Sequence, residues 1–221
     1  VFVFSDVHIG SPSSRMQELR SCLKKLSPDE VVIAGDLFDD QHRKVSRDEA
    51  VRLIKKAMEI LQIQPQRLYI AFSSSSHDPQ LPGPLTERIN GTEVVAYNGE
   101  ILIDGALKAV VTHGDRLIRS GVAAYFVDLA RRGQIGRWLR RRLALGDDVW
   151  LIYGHSHVPH VDAALKILNP GAWKIYSVRR IRGNVYRLPP AEPLCQPDLN
   201  HAESLRQTPQ VHHLPLIRLT A

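Results

Sequence analysis

Residues 149–157, VWLIYGHSH, constrain this chain more than any other stretch. Val149, Leu151, Ile152 and Tyr153 read as a short buried strand, which Gly154 ends. His155 and His157 follow two residues apart, so in extended chain both imidazoles face the same way. Two imidazoles at one strand end are ready to hold a metal ion. By itself such a pair is commonly ordinary core or surface histidine. Its weight here comes from repetition, because the other apolar strands that feed polar ends deliver ligand-type residues too.

Residues 1–4, VFVF, run into Asp6 and His8, again two apart, a mixed oxygen and nitrogen pair suited to Mn, Fe or Zn. Residues 30–34, EVVIA, lead through Gly35 to Asp36, Asp39 and Asp40. Carboxylates this crowded repel one another unless a cation sits among them. Asp36 is the candidate ligand and Asp39 a candidate to orient one. Residues 67–72, RLYIAF, deliver the serines 73–76 and then His77 and Asp78, a pair that suggests a proton donor. A plain serine-rich flexible loop is the competing account there. Residues 107–112 end in His113-Gly114-Asp115.

Between these strands, 14–25 and 45–61 carry apolar residues at helical spacing. Residues 81–85 read as a Pro/Gly loop. Strands at 92–97, 101–103 and 107–112, separated by Asn98-Gly99 and Asp104-Gly105, suggest hairpins in a second antiparallel or mixed sheet. Residues 116–145 return to helical spacing, and their polar positions are mostly arginine. Arg137, Arg140 and Arg141 are candidates to contact a substrate phosphate or an acidic lipid surface; a solvated helix face is the bland alternative. A strand at 165–168 ends in Asn169-Pro170-Gly171, and 175–180 and 184–188 are expected to pair around Arg182-Gly183. The proline-rich stretch 189–221 reads as an irregular or docked tail following a domain of residues 1–188.

Hydrophobic content of 43% and charged content of 24% describe an ordinary globular protein, and 221 residues are enough for one sizeable core or two small ones. No apolar run approaches bilayer-spanning length. The start VFVF lacks a basic flank, so no secretory leader is expected. Two cysteines, Cys22 and Cys195, make no framework, which favours a reducing, cytoplasmic setting. The net charge of +6 leans towards anionic partners. Nucleic acid is the weaker choice among these, since no aromatic-interleaved stacking platform is present.

Taken as a set, Asp6-Val7-His8, Gly35-Asp36-Leu37-Phe38-Asp39, Ser75-Ser76-His77-Asp78, His113-Gly114-Asp115 and Gly154-His155-Ser156-His157 resemble the motifs of the calcineurin-like metallophosphoesterases. The resemblance covers residues 1 to about 190. It implies a four-layer α/β/β/α sandwich of two mixed sheets flanked by helices, with ligands at the sheet ends. It implies one divalent ion on Asp6, His8, Asp36 and His157, and a second on Asp36, His113 and His155, with Mn the first choice over Fe, Zn, Co or Ni. It implies His77 as proton donor with Asp78 orienting it, and attack of a metal-bridging hydroxide on a phosphorylated small-molecule or nucleotide-like substrate. The third motif departs from the family's Gly-Asn-His. Ser76 stands where an Asn amide would bind the second metal, making it a weak ligand, and Ser75 replaces a glycine of a tight turn. A basic helical segment before GHSH is loosely similar to the UDP-diacylglucosamine hydrolases, with nucleotide or cyclic-nucleotide phosphodiesters as equal alternatives. A catalytically weak scaffold that binds a partner protein is the reading from another class.

Overall fold

The computed structural model describes residues 1–40, 42–175, 183–189 and 191–195. The elements in chain order are β1 (Phe2–Phe4), α1 (Met16–Leu26), β2 (Glu30–Ile33), α2 (Arg47–Leu61), β3 (Arg67–Ala71), β4 (Leu85–Ile89), β5 (Thr92–Tyr97), β6 (Ile101–Asp104) and β7 (Lys108–Thr112). They continue as α3 (Gly121–Arg131), α4 (Gln134–Arg142), β8 (Trp150–Tyr153), β9 (His160–Asp162), β10 (Ile167–Asn169), β11 (Val185–Arg187) and β12 (Glu192–Cys195). One sheet has the order β12-β11-β1-β2-β3-β5-β4 and the other β6-β7-β8-β10-β9. Within the first, β1, β2, β3 and β5 are parallel. Within the second, β7, β8 and β10 are parallel. Both sheets are therefore mixed.

The period-two alternation of each strand decides the layers. Phe4, Val31, Ile33, Leu68 and Ile70 face α1 and α2 in one core. Their neighbours Val3, Val32, Ala34 and Ala71 turn the other way, against Ile103, Ala109, Val111, Trp150, Ile152 and Leu168 of the second sheet. Leu151, Tyr153 and Ile167 then face Ala124, Ile135 and Leu139 of α3 and α4. The result is the expected order of helix, sheet, sheet, helix. Strands buried on both faces read as continuous apolar runs, as EVVI and WLIY do. Two of the helix starts carry serine caps. Ser46 accepts from Glu49 N at the head of α2, and Ser120 from Ala123 N at the head of α3.

Several sequence expectations need correction. The Pro/Gly loop is shorter than read, because 85–89 form β4. It joins β5 through Asn90-Gly91, whose φ values of 48° and 88° make a two-residue primed turn. β5 pairs with β3 in the first sheet, not with the strands after it. Asn98-Gly99 is therefore no hairpin; it carries the chain from one sheet to the other. There the Asn98 side chain accepts from Leu81 N and donates to Ser73 O and Pro79 O. The expected pairing around Arg182-Gly183 involves 176–182, which lie outside the described residues; β11 itself pairs with β1. Glu192–Cys195, in the stretch read as a tail, adds an edge strand to β11. Cys22 and Cys195 are joined in a disulfide, so the cysteine count gives no ground for a reducing compartment.

One buried carboxylate joins the second helical layer to its sheet. Asp128 of α3 is fully buried and accepts from Ile135 N at 2.8 Å and from Tyr153 Oη at 2.9 Å. Replacing Asp128 by Ala strands both donors, and we expect a loss of about 2–4 kcal/mol in urea unfolding. Asp128 lies on the outer face of the second sheet, so metal uptake by the folded fraction should be unchanged.

Candidate metal centre

Each candidate ligand leaves the carboxyl end of a parallel strand: Asp6 and His8 after β1, Asp36 after β2, His113 after β7, His155 and His157 after β8. In open α/β sheets this edge is where side chains converge. Asp6, His8, Asp36, His113 and His155 are buried, and His157 is partly exposed. Five of the six have φ in the left-handed region: Asp6 at 53°, His8 at 52°, Asp36 at 46°, His155 at 69° and His157 at 57°. Non-glycine residues rarely sit there, and clusters of them mark functional sites. The loops hold one another in this shape. Asp6 N donates to Gly35 O, His8 N to Asp36 O, and Trp173 N to Asp6 O, each at 2.9 Å. Glycine precedes two ligands because a Cβ at 35 would overlap the His113 ring, and one at 154 would crowd Asp6 Oδ2 and Ala34 O.

The donors of Asp6, His8, Asp36 and His157 lie within 4.8 Å of one another. His157 Nε2 is 3.1 Å from Asp6 Oδ1, and His8 Nε2 is 3.5 Å from Asp36 Oδ2. His8 Nε2 is buried and has no hydrogen-bond partner, an orphaned lone pair aimed into a carboxylate cluster. That is the signature of a nitrogen that awaits a cation, and these four residues fit a divalent metal. Two distances are short within the second expected set. His113 Nε2 lies 3.3 Å from Asp36 Oδ1 and 3.2 Å from His155 Nδ1. Ser76 Oγ donates to the same Asp36 Oδ1 at 3.1 Å, so the residue in the usual Asn position reaches the shared carboxylate.

The serines are tied down rather than loose. Asp115 accepts from Ser74 N, Ser74 Oγ and Ser75 Oγ at 2.7–3.0 Å. Ser75 has no left-handed φ, so its lost glycine costs no backbone strain. Asp78 has a different place from the one expected. It is fully buried and accepts from Asp36 N at 2.7 Å, Phe38 N at 3.0 Å and Ser73 N at 2.8 Å. It thus fixes the second and third loops. The carboxylate beside His77 is Asp39, 3.0 Å from Nδ1, and the same Oδ1 is 3.3 Å from His8 Nδ1. Asn169, the last residue of β10, donates to Gly154 O and Ser156 Oγ and so steadies the HSH loop.

The arginines are not at the centre. Arg140 donates to Val149 O at 2.7 Å and to Gly146 O, at the amino end of β8 and opposite the ligands. Arg137 donates to Arg131 O and Arg132 O, capping the end of α3. Arg141 lines a surface hollow with Arg137, Arg140 and Leu165. The cation that the structure does bring in is Lys174, which the sequence reading missed. It donates to Asp39 Oδ1 at 3.0 Å. Its only sequence signal is its place three residues beyond the Asn169-Pro170-Gly171 segment.

Charge is balanced among these groups. Burial works to raise the Asp6 carboxyl, but the charge and hydrogen bond of His157, with His113 and His8, outweigh it and hold it well below the usual range. Burial pushes His8 down to about 4. Burial, helped by the charge of His113, pushes His155 down to about 4. Burial opposes protonation of His113 too, yet Asp36 and Asp6 override it and raise it to about 9. Burial, with Asp36 beside it, lifts Asp78 to about 7 against the pull of the Phe38 and Ser73 amides.

Residues 1–186 match the calcineurin-like phosphoesterase superfamily domain. The chain belongs to that superfamily. No match was found among curated proteins. Among solved structures, similarity extends to a conserved uncharacterised protein, a predicted phosphoesterase, from Streptococcus pneumoniae TIGR4. The identity is 17%, over 84% of this chain and 79% of that one, with a TM-score of 0.41. A novel archaeal phosphodiesterase is similar at 13% identity over 87% and 95% of the two chains, with a TM-score of 0.44. Yfce, a phosphoesterase from E. coli, is similar at 13% identity over 89% and 98%, with a TM-score of 0.41.

His113 carries a proton below about pH 9 and must lose it to ligate a metal. Metal binding to this set should therefore release a proton at pH 7, and affinity should rise from pH 7 towards 9. Titration calorimetry in two buffers of different ionisation enthalpy reads that proton directly; equal heats in both would contradict the assignment.

Proposed function

We propose that this chain hydrolyses a phosphoester, a phosphodiester first among the alternatives, with divalent cations at two adjacent positions and manganese the first to try. The observation that carries the reading is the buried, partnerless His8 Nε2 among the donors of Asp6, Asp36 and His157. When bound, such cations polarise phosphoryl oxygens and lower the pKa of a water molecule. Asp6, His8, Asp36 and His157 would hold the first; Asp36, His113 and His155, with Ser76 as the weakest donor, would hold the second.

The remaining work falls to the chain's own groups. His77 is the most exposed of the cluster, with 39% of its side chain open to solvent. Its Nδ1–H is engaged by Asp39; in the imidazolium form, protonated at both nitrogens, Nε2–H is left to give its proton to the departing oxygen. Asp115 and Asp78 keep the serine loop and its histidine in place. The substrate is read as a phosphorylated small molecule or nucleotide-like ester. The donor set is retained apart from Ser76, so no observation favours the scaffold alternative.

Replacing Asp36 or His155 by Ala should lower hydrolysis of bis(4-nitrophenyl) phosphate in Mn at least a hundredfold, with the fold intact by circular dichroism. Unchanged turnover would sink the site assignment. Ser76→Asn should raise the metal content of gel-filtered protein towards two per chain by elemental analysis; a lower content would refute Ser76 as the weak donor.

A further inference from the structure

We infer that Lys174 is a positioning residue for the proton donor His77, acting through Asp39. The inference rests on the hydrolase reading above and extends it to a residue outside every motif. A single oxygen, Asp39 Oδ1, receives three nitrogens: Lys174 Nζ at 3.0 Å, His77 Nδ1 at 3.0 Å and His8 Nδ1 at 3.3 Å. His8, Asp39 and His77 have donors within 4.8 Å, a spacing that would suit a further metal ion. The Lys174 ammonium already supplies positive charge at that point, so the cluster is a hydrogen-bonded relay rather than a third cation site.

The geometry says what the lysine does. Asp39 is on a loop and its side chain is 24% exposed, while the Lys174 side chain is 13% exposed. Without a second anchor the carboxylate is free to rotate into water. Lys174 is held by its backbone: Trp173 N bonds to Asp6 O, Arg15 N bonds to Trp173 O, and Ser14 and Lys174 form a β-bridge. It thus ties Asp39 to the segment that also supports the ligand Asp6. A fixed Oδ1 takes the Nδ1 protons of both imidazoles. In the neutral rings this turns the Nε2 lone pair of His8 towards its metal and that of His77 towards solvent, where it takes up the second proton that the imidazolium then delivers to the leaving group. The 3.4 Å contact between Lys174 Nζ and His8 Nδ1 sets two donors side by side, tolerable because both point at one carboxylate oxygen.

The test compares Lys174→Met, Lys174→Arg, His77→Ala and the Lys174→Met/His77→Ala double variant in Mn, on methyl 4-nitrophenyl phosphate and methyl phenyl phosphate. A nitrophenolate leaves with little need of a proton, and a phenolate needs one more. Lys174→Met should lose about tenfold in kcat on the phenyl ester and far less on the nitrophenyl ester. Lys174→Arg should restore most of the loss, and Lys174→Met should cost nothing further in the His77→Ala background. Equal losses on both esters would overturn the inference. So would a KM increase at constant kcat, which would make Lys174 a phosphate contact. A second readout needs no turnover. Long-range 1H–15N spectra of the metal-free protein should show His77 as the Nδ1–H tautomer in the wild type and as a mixture in Lys174→Met; an unchanged tautomer would refute the positioning role. If the wild type hydrolyses neither ester, the hydrolase reading fails, and the tautomer still decides what Lys174 does. Should Lys174→Met not fold, Lys174→Gln takes its place in both arms.

Discussion

Everything at the carboxyl edge of these sheets depends on holding ordinary residues in backbone conformations they disfavour. Five candidate-ligand positions lie in the left-handed region, at a cost on the order of 1 kcal/mol or more each. No single loop could sustain that alone. The loops after β1 and β2 exchange backbone hydrogen bonds, and the segment after β10 bonds back to Asp6. Asp78 collects three amides from the loops after β2 and β3. The strain is spread over a closed ring of contacts, so each ligand is placed by its neighbours rather than by its own preference.

Electrostatics follows the same pattern of mutual support. Asp6 and Asp36 are carboxylates taken out of water, which is costly without compensation. Imidazoles face both: His113 Nε2 stands 3.3 Å from Asp36 Oδ1, and His157 Nε2 3.1 Å from Asp6 Oδ1. Farther out, Lys174 performs the same office for Asp39, whose carboxyl it holds low against the effect of burial. The centre is thus neutralised from within by groups that must give way, or give up protons, when a dication arrives. A site poised in this way couples occupancy to proton balance.

Most of this was legible in the sequence because ligand chemistry and strand patterning coincide. Each of these apolar runs ended in Asp or His, at a spacing of two in Asp6/His8 and His155/His157, and the resemblance of the motifs as a set implied the layered fold. What was not legible depended on partners distant in the chain. Asp78 sits next to His77 in sequence, yet its carboxylate turns to backbone amides near residues 36, 38 and 73, leaving Asp39 to face the histidine. Lys174 has no motif around it. The arginines of α4 looked like a phosphate clamp, but helix direction carries Arg140 to the far end of β8. Asn98-Gly99 has the composition of a hairpin turn and instead crosses between sheets, while Asn90-Gly91 makes the turn.

The pairing of β1 has a consequence for how the chain comes into being. β1 lies inside the first sheet, with β2 on one side and β11 on the other, and Val1 and Leu188 exchange hydrogen bonds across 187 positions. During synthesis β1 must therefore wait for β11, which is made long after it. Until residues 185–187 emerge from the ribosome, one edge of an apolar strand is unpaired, a state prone to wrong partners. The parallel neighbours β2 and β3 can dock early, so assembly proceeds outward on one flank while the other stays open. The ligand loop after β1 is half-framed throughout that interval, which makes the centre one of the final parts of the molecule to close.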